Sequence, residues 1–273
     1  MRIKIKLFPI IFIIGCFLFS ARLLEAGIGV KPTTVEMVVS PGRVTKGVYA
    51  IVNEGSETTH VNVDIEDWLK VKTGLSTIPI EKWLTITPME FDIEPQEVKE
   101  VEYLIDPPLD HKGELVAMIF FGTSSQMEGA FGIVSRIGVI VYAAMEGTID
   151  LRCSIADVTV IRAIQEKKEG GTIDKGVIFT IDVENQGNVH IRPTGDITVT
   201  DKDKNTYNVK VERGFPVFPG KRLDYAINWD KKDLSPGKYE VLIRLDCGNI
   251  YSIDKTIERR MTFTVKKDGK ISF

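Results

Sequence analysis

From residue 27 onward the chain shows no convincing amphipathic helix. It is made of short β-branched runs separated by turn residues. Runs at 28–39, 48–52, 60–65, 83–87, 97–105, 115–121 and 132–144 read as strands, each closed by a cluster such as Ser40-Pro41-Gly42 or Asn53-Glu54-Gly55. In the third run Val61, Val63 and Ile65 alternate with His60, Asn62 and Asp64, the period of a half-buried strand. Seven strands in about 120 residues is the density of an immunoglobulin-like sandwich. The second half keeps this rhythm, with runs at 157–164, 177–183, 195–200, 207–211, 222–229, 239–246 and 256–265. Between the first two of these, the charged, glycine-containing stretch 165–175 reads as a solvated hairpin or loop.

The two halves echo one another. Asn53-Glu54-Gly55 matches Asn185-Gln186-Gly187, each after a β-branched run, and is expected to serve a tight turn in which Asn and Gly accept positive φ. Pro95 with Tyr103 resembles Pro219-Gly220 with Tyr225. Lys112-Gly113-Glu114 before a strand resembles Pro236-Gly237-Lys238. The expected fold is therefore all-β, with two tandem immunoglobulin-like β-sandwich domains after an N-terminal signal segment. Residues 1–26 form the signal, residues 27–146 the first sandwich and residues 147–273 the second.

A length of 273 residues suits two domains, and an apolar share of 43% is enough for two cores. A net charge of −3 indicates neither a nucleic-acid binder nor an acidic buffer. Arg2, Lys4 and Lys6 precede an apolar stretch at 7–19, the anatomy of a secretory signal and too short to span a membrane comfortably. Three readings of the segment stay open. It is cleaved after Ala26, or Ile13-Ile14-Gly15-Cys16 acts as a lipobox and Cys16 is lipidated, or it stays uncleaved as an anchor. Cleavage removes Arg2, Lys4, Lys6, Arg22 and Glu25, a segment of net +3, so the charge falls from −3 to −6.

Export places Cys153 and Cys247 where they can form a disulfide, or they remain two buried thiols. His60, His111 and His190 are isolated from one another, and His60 and His190 stand at similar turn-adjacent places, which favours structural roles. Neither a nucleophile elbow, a phosphate loop nor a metal-ligand spacing is present. Asp201-Lys202-Asp203-Lys204-Asn205 lacks the glycine and the distal glutamate of a calcium loop and reads as a turn. Trp68, Trp83 and Trp229 read as packing residues. The chain is expected to be no enzyme and to need no cofactor and no metal.

Gly29-Val30-Lys31-Pro32-Thr33 at the head of the first strand, Trp83-Leu84-Thr85, and Ile86-Thr87-Pro88-Met89-Glu90-Phe91-Asp92-Ile93-Glu94-Pro95 before a further strand carry a resemblance. Residues 27–146 resemble the periplasmic pilus-assembly chaperones. Secreted surface proteins with an N-terminal peptidoglycan-binding sandwich share the outline. The resemblance implies donor-strand complementation, in which the chaperone lends its long last strand to a partner subunit that lacks one. That strand is the run 132–144, with Ile133, Ile137, Val139 and Val141 on one face as partner-binding residues. The polar stretch 123–130 before it corresponds to a region that orders on subunit binding in that family. A central strand buried on both faces is the other reading of the same run.

The family's two cleft cations would fall near Thr34 and Gly138, neither of which is basic; Lys31 and Arg136 stand close by as candidate carboxylate anchors. An unpaired buried arginine is costly, so Arg136 is expected either to face the cleft or to pair with an acid such as Glu36. The expected function is a non-enzymatic periplasmic chaperone that binds a strand-deficient pilus or surface subunit by β-strand addition. The alternative is a structural or adhesive cell-surface protein of tandem sandwich modules. No nucleic-acid partner is expected, and membrane contact only through the signal segment or a lipid on Cys16.

Overall fold

The computed structural model describes residues 27–75, 78–124, 134–166 and 172–273. The expected signal, with Cys16 and Ala26, lies outside them, as do most of 123–130 and Ile133. The described residues form two β-sandwiches, as expected.

In the first sandwich one sheet has the order β1 (Ile28–Lys31), β3 (Thr45–Asn53), β7 (Val98–Ile105), β5 (Leu84–Thr87). The facing sheet has the order β2 (Thr34–Val39), β9 (Val134–Met145), β8 (Glu114–Ser124), β4 (Thr59–Asp67), β6 (Glu90–Ile93). The single run expected at 28–39 is split: Pro32 has no N–H to give a ladder, and the chain changes sheets there. The strand β6, and a short helix α1 (Trp68–Thr73), were not expected. The helix is set by its ends. Asp67 Oδ1 accepts from the Lys70 N–H at 3.0 Å, and Gly74 closes it with φ 77°. At six residues it is too short for an apolar period to reveal.

In the second sandwich β10 (Cys153–Glu166), β11 (Thr172–Asn185) and β14 (Arg222–Trp229) make one sheet. The other runs β13 (Thr206–Val211), β12 (Thr194–Thr200), β15 (Gly237–Asp246), β16 (Thr256–Val265), β17 (Ile271–Ser272). β10 and β11 pair out to Glu166 and Thr172, so both ends of the charged insert belong to the ladder, and residues 167–171 between them lie outside the described residues. Asp201 Oδ1 accepts from the N–H groups of Asp203 and Asn205, the side-chain-closed turn anticipated for that run.

Each sandwich holds its own core. Tyr49, Ile51, Ile93, Ile105, Ile119 and Phe121 are fully buried in the first. Phe179, Ile181, Ile191, Ile197 and Ile243 are fully buried in the second. Each such side chain contributes about 1.5–3 kcal/mol relative to exposure. Trp83 and Trp229 are buried as expected, one in each core.

The connection between the sandwiches is tied down. Asn188 Nδ2 donates to the Thr148 carbonyl at 2.8 Å, and Asn188 Oδ1 accepts from the Asp150 N–H at 2.8 Å. Gly113 has φ 84°, and a Cβ there would stand 2.6 Å from the Asn188 carbonyl oxygen, so only glycine lets the first sandwich come this close to the second. A smaller apolar cluster of Leu69, Val116, Tyr142 and Phe218 joins the halves.

Candidate functional site

The long strand β9 has unequal neighbours. β8 pairs with it along its whole length, from Glu114 opposite Ala144 to Ser124 opposite Val134. β2 runs parallel to it on the other side but pairs only from Thr34 opposite Ile140 to Val39 opposite Met145. Among the described residues, no strand pairs with residues 134–139 on the side away from β8. That half of the strand leaves backbone N–H and C=O groups along one edge, the feature that templates pairing with another chain.

The side chains of β9 sort by face. Val139 and Val141 are fully buried in the first core, and Ile137 packs partly buried against it. The first two are held by their own sandwich, so a partner cannot grip them while the fold is closed. On the outer face, Gly138 stands opposite Phe120, and a Cβ there would come within 3.1 Å of the Phe120 ring and of Met118 Sδ. Phe120 thus lies across the strand, and the Arg136 guanidinium stacks over its ring at 3.8 Å from the centroid.

Arg136 pairs with Asp64 at 3.2 Å and Glu66 at 3.5 Å, both on β4, rather than with Glu36. Register explains this: Gly122 lies between Arg136 on β9 and Asn62 on β4, so the long side chain reaches over a residue without a side chain. Lys31 ends β1, exposed, in the opposite sheet. The two candidate anchors therefore sit on different sheets, one of them already held by two carboxylates.

Beside the open edge lies a cleft of about 350 Å³ lined by Thr34, Glu36, Arg192, Arg213 and Gly214. Its cations come from the second sandwich. Arg192 Nε donates to Glu36 Oε1 at 2.8 Å and its Nη1 to the Gly214 carbonyl at 2.8 Å, while Arg213 closes on Glu36 Oε2. Burial alone would raise the Glu36 carboxyl, but His190, Arg192 and Arg213 outweigh it and hold the pKa down to about 2. Deeper in, Glu114 and His190 are both buried, with Nδ1 and Oε1 2.6 Å apart. Sequence reading missed Arg192 and Arg213 as cleft groups. The available signal was the alternation Val189-His190-Ile191-Arg192, in which the two apolar residues are fully buried and the polar pair is turned to the first sandwich.

Cys153 and Cys247 are brought close enough to influence one another's ionisation, both as free thiols, Cys247 buried and Cys153 partly buried. No group of three or more His, Cys, Asp or Glu among the described residues could hold a metal ion. No helix among them is long and apolar enough to cross a membrane.

No family model and no curated protein matches the chain. Solved structures do. The class 5 fimbriae chaperone CfaA is similar at 14% identity and a TM-score of 0.46, over 86% of this chain and 98% of that one. The E. coli chaperone DraB is similar at 13% identity and a TM-score of 0.42, over 86% and 98%. A chain of the Salmonella enterica complex between SafA pilin and the SafB chaperone is similar at 12% identity and a TM-score of 0.41, over 87% and 96%.

Proposed function

We propose that this chain is an exported, non-enzymatic chaperone that binds a strand-deficient pilus or surface subunit by β-strand addition along residues 134–139. The observation that carries the reading is the half-paired β9, whose first half has β8 on one side and an open ladder edge on the other. A partner strand laid there would gain main-chain hydrogen bonds at each alternate residue. It would continue the line of β2, which ends its pairing at Thr34 opposite Ile140, and would run its end into the cleft beneath Thr34 and Arg213. Of the partner-binding set expected from sequence, Ile137 is the described side chain that is not fully enclosed, while Val139 and Val141 serve as the rigid base of the edge. Exposed Lys31 is the cation of the expected anchor pair that stands open to a terminal carboxylate.

The test is co-production with a pilus or surface subunit that lacks its last strand. The expected result is that the subunit stays soluble, and that amide exchange of residues 134–139 slows in the complex. Equal subunit solubility with and without the chain removes the proposal, and the alternative of a structural surface module then stands.

A further inference from the structure

The buried His190 imidazole sits between two carboxylates of the other sandwich. Its Nδ1 is 2.6 Å from Glu114 Oε1, and the His190 backbone N–H donates to Glu114 Oε2 at 3.1 Å. Its Nε2 is 3.6 Å from Glu36 Oε1 and is buried without a hydrogen-bond partner. A neutral imidazole carries one proton, so with Nδ1–H on Glu114 the Nε2 lone pair would point toward the Glu36 carboxylate. Only the imidazolium presents an N–H to each.

The remaining groups around the ring close it in. The Tyr142 ring lies 3.9 Å from the imidazole, centroid to centroid. The Tyr251 hydroxyl is 2.7 Å from the His190 carbonyl oxygen and 3.2 Å from Glu114 Oε1. Arg192 and Arg213 hold Glu36 from its other side. Both carboxylates belong to the first sandwich, on β2 and β8, and the histidine and both arginines to the second. The attraction therefore acts across the junction.

We propose that His190 is a pH-sensitive pin between the two sandwiches, closed when the ring is an imidazolium bridging Glu114 and Glu36 and released when it loses a proton. On release the buried Glu114 carboxylate faces a neutral ring, and an uncompensated buried charge is relieved by letting water into the junction. The second sandwich then shifts against the first at this face of the junction, and the cleft beside Thr34 changes width.

The direction in pH follows from the surroundings. Burial works against the charged ring, but the field and hydrogen bonds of Glu114 and then Glu36 outweigh it, so His190 holds its proton above its ordinary value. A group with a raised native pKa contributes fully below its unfolded value of about 6.5, and the contribution is lost as pH rises through the native value. The pin is closed in mildly acidic solution and opens on the alkaline side.

The experiment follows ring resonances and residual dipolar couplings of the two sandwiches from about pH 5 to about pH 9. The His190 ring is expected to titrate above its ordinary value, and the relative orientation of the sandwiches to change with the same midpoint. Glu36→Gln should lower that midpoint by about one pH unit, a tenfold loss of proton affinity. His60→Gln should leave it alone: His60 is also raised, by Asp92 and Glu90, but lies exposed on β4 far from the junction in the chain's fold. His190→Gln should abolish the change. If that variant does not fold, the Glu36→Gln shift decides alone. An orientation that stays constant while His190 titrates, or a midpoint unmoved in Glu36→Gln, overturns the proposal.

Discussion

Asn53 and Asn185 make the same three hydrogen bonds in the two sandwiches. Asn53 Nδ2 donates to the Glu57 and Ile93 carbonyls at 2.7 and 3.0 Å, and its Oδ1 accepts from the Gly55 N–H at 2.9 Å. Asn185 Nδ2 donates to the Val189 and Val217 carbonyls, both at 2.8 Å, and its Oδ1 accepts from the Gly187 N–H at 2.9 Å. Both side chains are fully buried. The internal echo is thus a shared piece of hydrogen-bonding, and the reason expected for it is corrected. Neither Asn-x-Gly uses positive φ. The left-handed residues are Gln96, φ 64°, and Gly220, φ 69°, each after the matching proline. The asparagines act through their amides, which stitch two turns and a strand end together.

Removing either amide should therefore destabilise its own sandwich. Three hydrogen bonds at about 1 kcal/mol each, with a buried carbonyl at Ile93 left unpaired in the first sandwich and two at Val189 and Val217 in the second, place Asn53→Ala and Asn185→Ala at about 3 kcal/mol. Asn→Asp should be no rescue, because it turns a donor into an acceptor facing two carbonyls. Chemical denaturation followed by Trp83 for the first core and Trp229 for the second is the check. A loss under about 0.5 kcal/mol in either would show the bonds to be incidental.

The β9 edge yields a pair of substitutions that separate folding from binding. Val139→Asp places a carboxylate in a fully buried core position and should unfold the first sandwich, with a cost of several kcal/mol. Ile137→Glu falls where the side chain is only partly enclosed, so the chain should remain folded, with a loss of about 1–2 kcal/mol. It should nonetheless lose most of its hold on a strand-deficient subunit. Circular dichroism separates the two variants. Undiminished subunit binding by a folded Ile137→Glu protein would move the binding surface off this strand.

What the sequence disclosed divides along physical lines. Strand identity is local: alternation in 60–65 and the β-branched runs announce themselves, and the 256–265 run matches β16 to the residue. Sheet membership is not local. Nothing between Ile28 and Val39 except Pro32 marks a change of sheet, and α1 is signalled only by Asp67 and Gly74. The cleft was hidden for the same reason. Glu36 meets Arg192 and Arg213 across more than 150 residues, and an exposed-looking charge in one half carries no mark of its partner in the other. Arg136 was expected to face the cleft or to pair with an acid such as Glu36; it pairs with Asp64 and Glu66, a choice decided by register across β8.

Glu36 fixes the acid limit of the junction. Its carboxyl is held at about 2, so it contributes stability above its unfolded value of about 4.5 and loses it as pH falls toward 2. The full span corresponds to about 3 kcal/mol, reduced by solvent screening because the carboxylate is only partly buried. The chain should accordingly show an acid transition between about pH 4.5 and 2 that Glu36→Gln removes, with that variant less stable than the native chain by a similar amount at neutral pH. Denaturation midpoints collected across this range test it. A native chain and a Glu36→Gln variant that lose stability in parallel below pH 4.5 would assign the transition to other carboxylates.

Cys153 opens β10 in one sheet of the second sandwich and Cys247 follows β15 in the other, so a bond between them would staple the two sheets. The neighbouring Cys247 thiol favours the Cys153 thiolate and lowers its pKa, whereas the Cys153 sulfur and burial raise Cys247. Cys153 is thus the nucleophile and Cys247 the thiol that must surrender its proton. Treating the folded chain with oxidised glutathione should first cap Cys153 as a mixed disulfide. Cys247 should then displace glutathione, leaving an intramolecular disulfide and a chain lighter by two hydrogens. Closing a loop of about 95 residues should stabilise the sandwich by about 3–5 kcal/mol, visible as a higher denaturation midpoint without reductant than with it. Cys153→Ser should erase the difference. Two thiols that both remain open to alkylation after oxidation of the folded chain would show that the sulfurs do not reach bonding geometry, and the pair would then stay two free thiols.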